Sequence, residues 1–377
     1  MIVHDVELFH IQLELTEPFV TGFGRVEARD LILIRAQSDA GVSWGEAPTL
    51  REPVYTGETA LSSLHVLGDF MLPAVLGQSI SSAEELLDRI AFVRGNNSAR
   101  YAIESTIVHH LAAAGGQSTS QYLGGVRSSV DCGLSVGIRP DLDDLVAFVA
   151  DGVQTGFRRI KLKIRPGWDV EPVRAVRAAF PDVMLSVDAN GAYSRQHLDI
   201  LTGLDGFDLI MIEQPFGYED LTTHAALQRR IGTRVCLDES LDSVSSLESA
   251  IELGACQAVN IKLSRVGGFV AAKAFHDICQ AADIPVWCGG VFESAIGQSD
   301  SLALASLPGF VFPADIGPSA RYFVRDLIDP WIDMVDGQMP VPTGPGIGFG
   351  VDEDYIRKTA RGVWRVPGHT RENWTLT

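Results

Sequence analysis

The sequence predicts an α/β fold, a (β/α)8-type (TIM-like) barrel with an α+β domain ahead of it. Three observations lead to this prediction. From about residue 130, eight short apolar runs alternate with stretches whose apolar residues recur at helical spacing. The earlier part of the chain has longer segments that alternate like antiparallel strands. Three of the eight runs end in a carboxylate at regular spacing, as expected for equivalent positions on repeated units.

The first domain is predicted over residues 1–128. Segments 4–15 and 29–47 alternate like strands, and segments 83–92 and 101–116 have helical periodicity. We expect these elements to form an α+β domain that caps the barrel.

The barrel is predicted over residues 129–317. Its eight strand candidates share a short apolar core and lie at 130–138, 158–164, 183–190, 209–215, 234–239, 258–263, 284–290 and 310–316. A doubly wound sheet is the alternative, but it does not require eight similar units in a row. The tail at 318–377 contains a segment rich in glycine and proline, and we expect it to pack back on the first domain.

Composition excludes some classes of partner. The 377 residues carry a formal net charge of −18, which disfavours binding to nucleic acid or to an anionic membrane, because both require a basic patch. No run approaches the roughly 18 apolar residues that span a bilayer. The five cysteines include no closely spaced pair, which is typical of reduced core thiols. These features predict a cytoplasmic protein that binds a small molecule.

Three acids at strand ends form a candidate metal site. Glu213 follows Asp188 by 25 residues, and Asp238 follows Glu213 by 25. One βα unit has about this length, so the three side chains are expected to meet at the carboxyl edge of the barrel, where active sites lie. Carboxylates that meet raise one another's pKa unless a cation offsets their charge. An all-oxygen set favours Mg²⁺, with Mn²⁺ as a substitute. Candidates for metal-adjacent positions lie in the same runs, namely Asn190, Glu239 and Asn260.

Three lysines accompany the acids. In the run at 158–164, Lys161 and Lys163 lie on one face of the strand and the isoleucines and leucine on the other. Lys262 ends the strand that follows Asp238, so it is expected on the opposite side of the metal from Lys163. We predict that the lysine faces point into the barrel, where a lysine on each side of a bound carboxylate can act as a general base on its α-proton.

The motifs around these residues identify the chain as resembling the enolase superfamily, muconate-lactonizing-enzyme subgroup. It is most similar to the o-succinylbenzoate synthase and N-succinylamino acid (N-acylamino acid) racemase family. The matching motifs are RIKLKIRPGWDVEPVRAVR, VDAN, IEQP, CLDES, VNIK with RVGG, DIPVWCGG and PVPTGPGIG.

The resemblance implies roles for individual residues. Lys163 would be the base on one face and Lys262 the acid or base on the other, with Lys161 assisting. Asp188, Glu213 and Asp238 would bind Mg²⁺. The first domain, similar to the superfamily's N-terminal domain, and the loop after the seventh strand would contact the substrate, through Phe19, Phe23, Tyr55, Gly290, Val291, Glu293 and Ser294. The resemblance also implies a homo-oligomer.

Several positions depart from the family pattern, among them His109 and His110 in the predicted helix of the first domain. Leu263 and Ser264 replace Pro-Gly, Ala295 replaces a glycine and Gln298 an arginine. The last two lie where the substrate is contacted, so they bear on the choice of substrate rather than on the lysines and acids.

Two reactions fit the predicted site, and both begin with removal of the α-proton of a carboxylate to give an enediolate. Dehydration of a cyclohexadiene carboxylate gives o-succinylbenzoate, a menaquinone precursor, and requires one base. Racemisation of an N-acylamino acid requires a base on each face. Dipeptide epimerase and muconate-type cycloisomerase are the alternatives within the superfamily. A Schiff-base aldolase and a non-catalytic barrel are the alternatives outside it, and both are disfavoured by the three acids.

Overall fold

The structure is a computed structural model that describes residues 1–21 and 24–366 and the backbone of 375–376. The strands are β1 Val3–Thr21, β2 Gly24–Ser38, β3 Gly41–Ala47, β4 Ser129–Asp131, β5 Gly133–Val136, β6 Arg159–Lys163, β7 Met184–Asp188, β8 Met211–Glu213, β9 Arg234–Leu237, β10 Ala258–Ile261, β11 Val286–Cys288, β12 Gln338–Pro340, β13 Gly362–Val366 and β14 Thr375–Leu376.

The α-helices are α1 Ala60–Val66, α2 Ala83–Arg89, α3 Asn97–Ala114, α4 Thr119–Leu123, α5 Leu142–Thr155, α6 Val170–Ala179, α7 Leu198–Gly203, α8 Leu221–Gln228, α9 Val244–Glu252, α10 Leu263–Val266, α11 Phe269–Ala281, α12 Ala295–Ala305, α13 Ser319–Tyr322 and α14 Glu353–Thr359. One π-helical turn, Leu67–Met71, and three short 3₁₀ turns complete the described helices.

The first sheet is antiparallel, with strand order β14-β13-β1-β2-β3. Side chains along β2 point alternately to the two faces of this sheet, and both faces are apolar. Ile32 and Ile34 pack in one cluster with Ile103 of α3, whereas Leu31 and Leu33 pack on the other side with residues that follow the second sheet. β13 near the end of the chain pairs with β1, for example Val6 with Val366, so the tail adds a strand to this sheet.

The second sheet is parallel, with strand order β11-β10-β9-β8-β7-β6-β5. Residues 310–314 link its two edges. Phe310 forms a parallel bridge with Val286 of β11, and Ala314 forms one with Cys132 next to β5. Seven of the eight predicted runs are therefore strands, and the eighth pairs through isolated bridges. The boundaries 1–128, 129–317 and 318–377 stay a prediction.

The alternation in β6 explains why this strand carries lysines. Ile160 and Leu162 belong to the large apolar cluster that includes Val149 of α5 and Val173 of α6. Lys161 and Lys163 point the other way, into the sheet's concave interior, and are almost fully buried. None of the helices formed by the described residues is long and apolar enough to cross a membrane.

Candidate active site

The three predicted acids lie at the carboxyl edge of adjacent parallel strands. Asp188 and Glu213 are the last residues of β7 and β8 and pair with each other in register. Asp238 follows the end of β9. All three are buried, with at most 1% of Asp188 exposed. The regular spacing in sequence therefore corresponds to one edge of the sheet.

The two flanking lysines bind the outer acids. Lys163 pairs with Asp188 in the β6–β7 register, and its Nζ lies 2.6 Å from Asp188 Oδ2 and 2.7 Å from Asn190 Oδ1. Lys262 Nζ donates to Asp238 Oδ2 at 2.7 Å. The strands of the three acids lie between the strand of Lys163 and that preceding Lys262, so the lysines approach the acids from opposite sides.

Lys161 lies deeper and is surrounded by acids. Its Nζ is 3.0 Å from Glu213 Oε2, 3.3 Å from Asp188 Oδ2 and 2.5 Å from Asp315 Oδ2. Burial by itself lowers the pKa of Lys161, but the charges of Asp315, Glu213 and Asp188 outweigh it and raise the pKa above its ordinary value. The acids around Lys161 therefore hold it as an ammonium group.

Asp238 is bound by three donors. Lys262 and the Arg265 guanidinium both contact it, and Tyr55 donates its hydroxyl to Oδ1 at 2.8 Å. Burial alone raises the pKa of Asp238, but the charges of Lys262 and Arg265 lower it well below its ordinary range. The Tyr55 ring also lies 4.6 Å from Lys262 Nζ, a distance suited to a cation–π contact.

The remaining acids of the site hold their protons more tightly than free carboxyl groups do. Burial and the charge of Asp188 raise the pKa of Glu213 to about 7. Burial and the charge of Asp238 raise the pKa of Glu239 to about 8. Among the described residues, no three His, Cys, Asp or Glu side chains come together at metal-binding geometry, because lysines occupy the carboxylates.

The chemistry of the donors nevertheless fits a hard divalent cation. The charges of Asp188 and Asp238 raise the pKa of both Glu213 and Glu239. Two buried oxygens beside them, Glu239 Oε2 and Asn260 Oδ1, have no hydrogen-bond partner in the described structure. Asn190 Nδ2 donates to Glu239 Oε1 at 2.8 Å, and Asn260 Nδ2 donates to Glu213 Oε1 at 2.7 Å. The three predicted metal-adjacent residues thus lie next to the acids.

A cavity opens above the lysines. Four of the predicted substrate-contacting residues line it together with Lys163 and Lys262, namely Phe19, Tyr55, Gly290 and Val291. Glu293 lines an adjoining, narrower part next to Lys161 and Asp315. Among the departures from the family pattern, Ser264 lines the cavity, Gln298 lines its narrower part and donates to Gly317 O at 2.9 Å, and Leu263 and Ala295 are buried.

Two of the residues predicted to contact the substrate are not part of the described cavity lining. Ser294 is fully buried outside the cavity lining. It is the N-cap residue that precedes α12, and its backbone N–H donates to Glu46 Oε1 at 3.1 Å. Phe23 lies outside the described residues.

Sequence reasoning gave no site role to several charged residues near the lysines. Arg159 shares the interior face of β6, lies 4.2 Å over the Trp287 ring and contacts Asp315. The sequence could have pointed to Arg159 and Asp315. Arg159 continues the alternation of Lys161 and Lys163, and Asp315 is another acid at the end of a predicted barrel strand. Arg265 and Arg29 had no comparable signal, because their positions depend on packing between distant segments.

Comparisons with known proteins agree with this geometry. Residues 144–355 match the family model described as enolase C-terminal domain-like. The chain is 44% identical to the N-succinylamino acid racemase of Amycolatopsis sp, over 95% of this chain and 98% of that protein. It is 42% identical to the o-succinylbenzoate synthase of Geobacillus stearothermophilus, over 94% of each.

A solved structure of an enolase-superfamily member from Listeria innocua superimposes with a TM-score of 0.94 at 36% identity. The superposition covers 97% of this chain and 99% of the Listeria innocua chain. The fold, the arrangement of acids and lysines and these relatives together show that the chain belongs to the enolase superfamily, in the family of o-succinylbenzoate synthases and N-succinylamino acid racemases, and is an enzyme.

Proposed function

We propose that the protein removes the α-proton of a small carboxylate substrate, and that it does so as an o-succinylbenzoate synthase, an N-succinylamino acid racemase or both. The observation that carries this proposal is the placement of Lys163 and Lys262 on opposite sides of the strands that bear the three acids. A substrate bound above these acids would have a lysine on each face of its α-carbon.

The acids fit a divalent cation, for which we propose Mg²⁺ with Mn²⁺ as a substitute, held by Asp188, Glu213 and Asp238. Such an ion supplies positive charge next to the substrate carboxylate, where negative charge develops as the α-proton leaves.

Each lysine then has a distinct task. Lys163 accepts the proton from one face, and Lys262 delivers or accepts a proton on the other. Lys161, held as an ammonium group between Glu213 and Asp315, supplies a fixed positive charge. In dehydration only one lysine need act as a base, and the other then stabilises charge.

The cavity walls contribute by excluding water. Phe19 and Phe292 contact each other edge to face, with ring centroids 4.9 Å apart, and Tyr55 covers Lys262. Exclusion of water by a bound substrate would strengthen the electrostatic interactions between the lysines and the developing charge.

Asp315 disfavours the dipeptide epimerase alternative. A site for a substrate ammonium group requires a carboxylate that is free to accept it, whereas Asp315 is already bound by Lys161 and Arg159. A muconate-type cycloisomerase of the same superfamily is the remaining alternative. We also propose that the partners are a small-molecule carboxylate substrate and further copies of the chain in a homo-oligomer, as its resemblance to the family implies, rather than nucleic acid or a membrane.

The test is an exchange assay followed by ¹H NMR in D₂O with Mg²⁺, using N-succinyl-L- and N-succinyl-D-phenylalanine. We expect the α-proton signal of both enantiomers to disappear, and we expect EDTA to prevent this and added Mg²⁺ or Mn²⁺ to restore it. Lys163→Ala is the control. Absence of exchange from either enantiomer would remove the racemase function for this substrate and leave the dehydration to be tested.

A further inference from the structure

Arg29 is a buried cation in the wall of the active-site cavity. It lies on β2, on the same sheet face as Leu31 and Leu33, and only 2% of its surface is exposed. The cavity that it lines is the one lined by Lys163 and Lys262. Burial lowers the pKa of Arg29 to about 10, so the guanidinium is still charged at neutral pH.

The guanidinium has few partners. Its Nη2 donates to the carbonyl of Pro48 at 3.2 Å, and its Nε has no hydrogen-bond partner within the described structure. No described carboxylate lies within 4.0 Å of it. A buried guanidinium without a carboxylate is costly, because buried charges are stable when they are paired.

The acids near Arg29 accept hydrogen bonds from other groups. Glu46 accepts hydrogen bonds from the backbone of Ser294 and Gly297 at the start of α12, at 3.1 and 3.2 Å. Glu293 accepts from the backbone of Val291 at 3.0 Å. Asp30 is bound by His10 and Gln12, at 2.8 and 3.2 Å.

The other cations of the cavity differ from Arg29 in this respect. Lys163 is paired with Asp188 and Lys262 with Asp238. Within the described lining, Arg29 is therefore the cation that no carboxylate contacts directly, although the charges of Glu293, Glu46 and Asp30 act on it from a longer distance. A planar guanidinium is suited to bind a carboxylate through two parallel hydrogen bonds.

We propose that Arg29 binds the distal carboxylate of a dicarboxylate substrate and so selects succinyl over neutral acyl groups. This inference rests on the proposed function, since it takes the reacting carboxylate to lie at the acids between the two lysines. It assigns the second carboxylate to the wall formed by the antiparallel sheet. An acyl group without that carboxylate would leave Arg29 unpaired and would bind more weakly.

The test compares two ligands that differ only at the distal group, N-succinylphenylalanine and its succinamoyl analogue, in which an amide replaces the distal carboxylate. Binding to the Mg²⁺-loaded protein is measured by titration calorimetry. We expect the wild type to prefer the succinyl ligand by at least about tenfold in Kd, the size expected for a charged hydrogen bond. In Arg29→Met this preference should fall to near one, with binding of the amide little changed. Arg35→Met is the matched control, because Arg35 lies on the same strand but pairs with Glu7 and Glu353.

Arg29→Lys keeps the positive charge but loses the planar guanidinium and its two parallel hydrogen bonds. Its preference for the succinyl ligand should therefore lie between those of the wild type and Arg29→Met. If Arg29→Met does not fold, the comparison is made with Arg29→Lys instead. A wild type without preference, or variants that weaken both ligands equally, would overturn the proposal. A succinyl preference that depends on Arg29 in a protein without proton exchange would uphold the subsite and reject the proposed reaction.

Discussion

The active site has two halves, one formed by Lys163 with Asp188 and the other by Lys262 with Asp238, and the contacts that fix them differ. Lys163 and Asp188 are register partners on adjacent strands, so the sheet alone places them. Lys262 and Asp238 are also on adjacent strand ends, but Asp238 is further bound by Arg265 and by Tyr55 from the first part of the chain. One half is thus fixed locally, and the other depends on contacts with the antiparallel unit.

These contacts extend beyond Tyr55. Asn97, the first residue of α3, donates its amide to the carbonyl of Arg265 at 2.7 Å. Glu104 of α3 accepts the backbone N–H of Val270 in the first turn of α11, at 2.8 Å. Both partners follow Lys262 closely in sequence, so α3 holds the segment that carries this lysine. Substitutions in the first part of the chain, which carries the antiparallel sheet and α3, should therefore disturb Lys262 and Asp238 more than Lys163 and Asp188.

The largest difference is expected from neutralising the acid in each half. Asp238→Asn leaves Lys262 and Arg265 buried without a carboxylate, and removing one partner of a buried ion pair costs about 3–5 kcal/mol. Asp188→Asn should cost less, because it leaves one cation, Lys163, without a carboxylate but still bound to Asn190 Oδ1, whereas Lys161 keeps Glu213 and Asp315. The free energy of unfolding is measured by denaturant titration in metal-free buffer, and equal losses would contradict the comparison.

A smaller effect, confined to one half, is expected from Tyr55→Phe. The substitution removes the hydroxyl that binds Asp238 but keeps the ring over Lys262. We expect exchange of the α-proton from one enantiomer to slow by about tenfold, the equivalent of one hydrogen bond to a charged group, and the other enantiomer to change little. The NMR assay measures both rates, and equal slowing would show that Tyr55 acts on the whole site.

The smallest effect concerns pH and the contact between α3 and α11. Burial raises the pKa of Glu104 from its ordinary 4.5 to about 8, so the folded protein keeps a proton that the unfolded chain releases. Stability contributed by this group is full below pH 4.5 and is lost as the pH rises to about 8, by at most about 1.4 kcal/mol per pH unit.

Glu104→Gln cannot titrate, so its unfolding free energy should decline less between pH 5 and pH 8 than that of the wild type. Denaturant titrations at several pH values in this range measure the difference, and other buried acids contribute equally to both proteins. Parallel curves would show that Glu104 is ionised in the folded state.

The same comparison explains what could be predicted from the sequence. Lys163, Lys262 and the three acids were placed correctly at one sheet edge, because the strand period and the repeat length fix where strand ends meet. The contacts of Tyr55 with Asp238 and of Glu104 with Val270 join residues 183 and 166 positions apart. No local pattern encodes such distances.

The residues predicted to contact the substrate have surroundings that also depend on such distant contacts. Tyr55 was expected to contact substrate, and the structure also makes it a partner of Asp238. Ser294 was expected at the substrate but is used to bind Glu46 at the start of α12. Arg29 lies in a strand that the sequence predicts, but its unpaired state follows from which of its neighbours find other partners.

The most direct test of the central claim compares Lys163→Ala with Lys262→Ala in the D₂O exchange assay, using each enantiomer separately. If the lysines serve opposite faces, each variant should lose exchange from a different enantiomer by roughly 10²–10⁴-fold, the contribution of a positioned base. Each should retain measurable exchange from the other enantiomer. Loss of exchange from the same enantiomer in both variants would contradict the account, because the two lysines would then act on a single face.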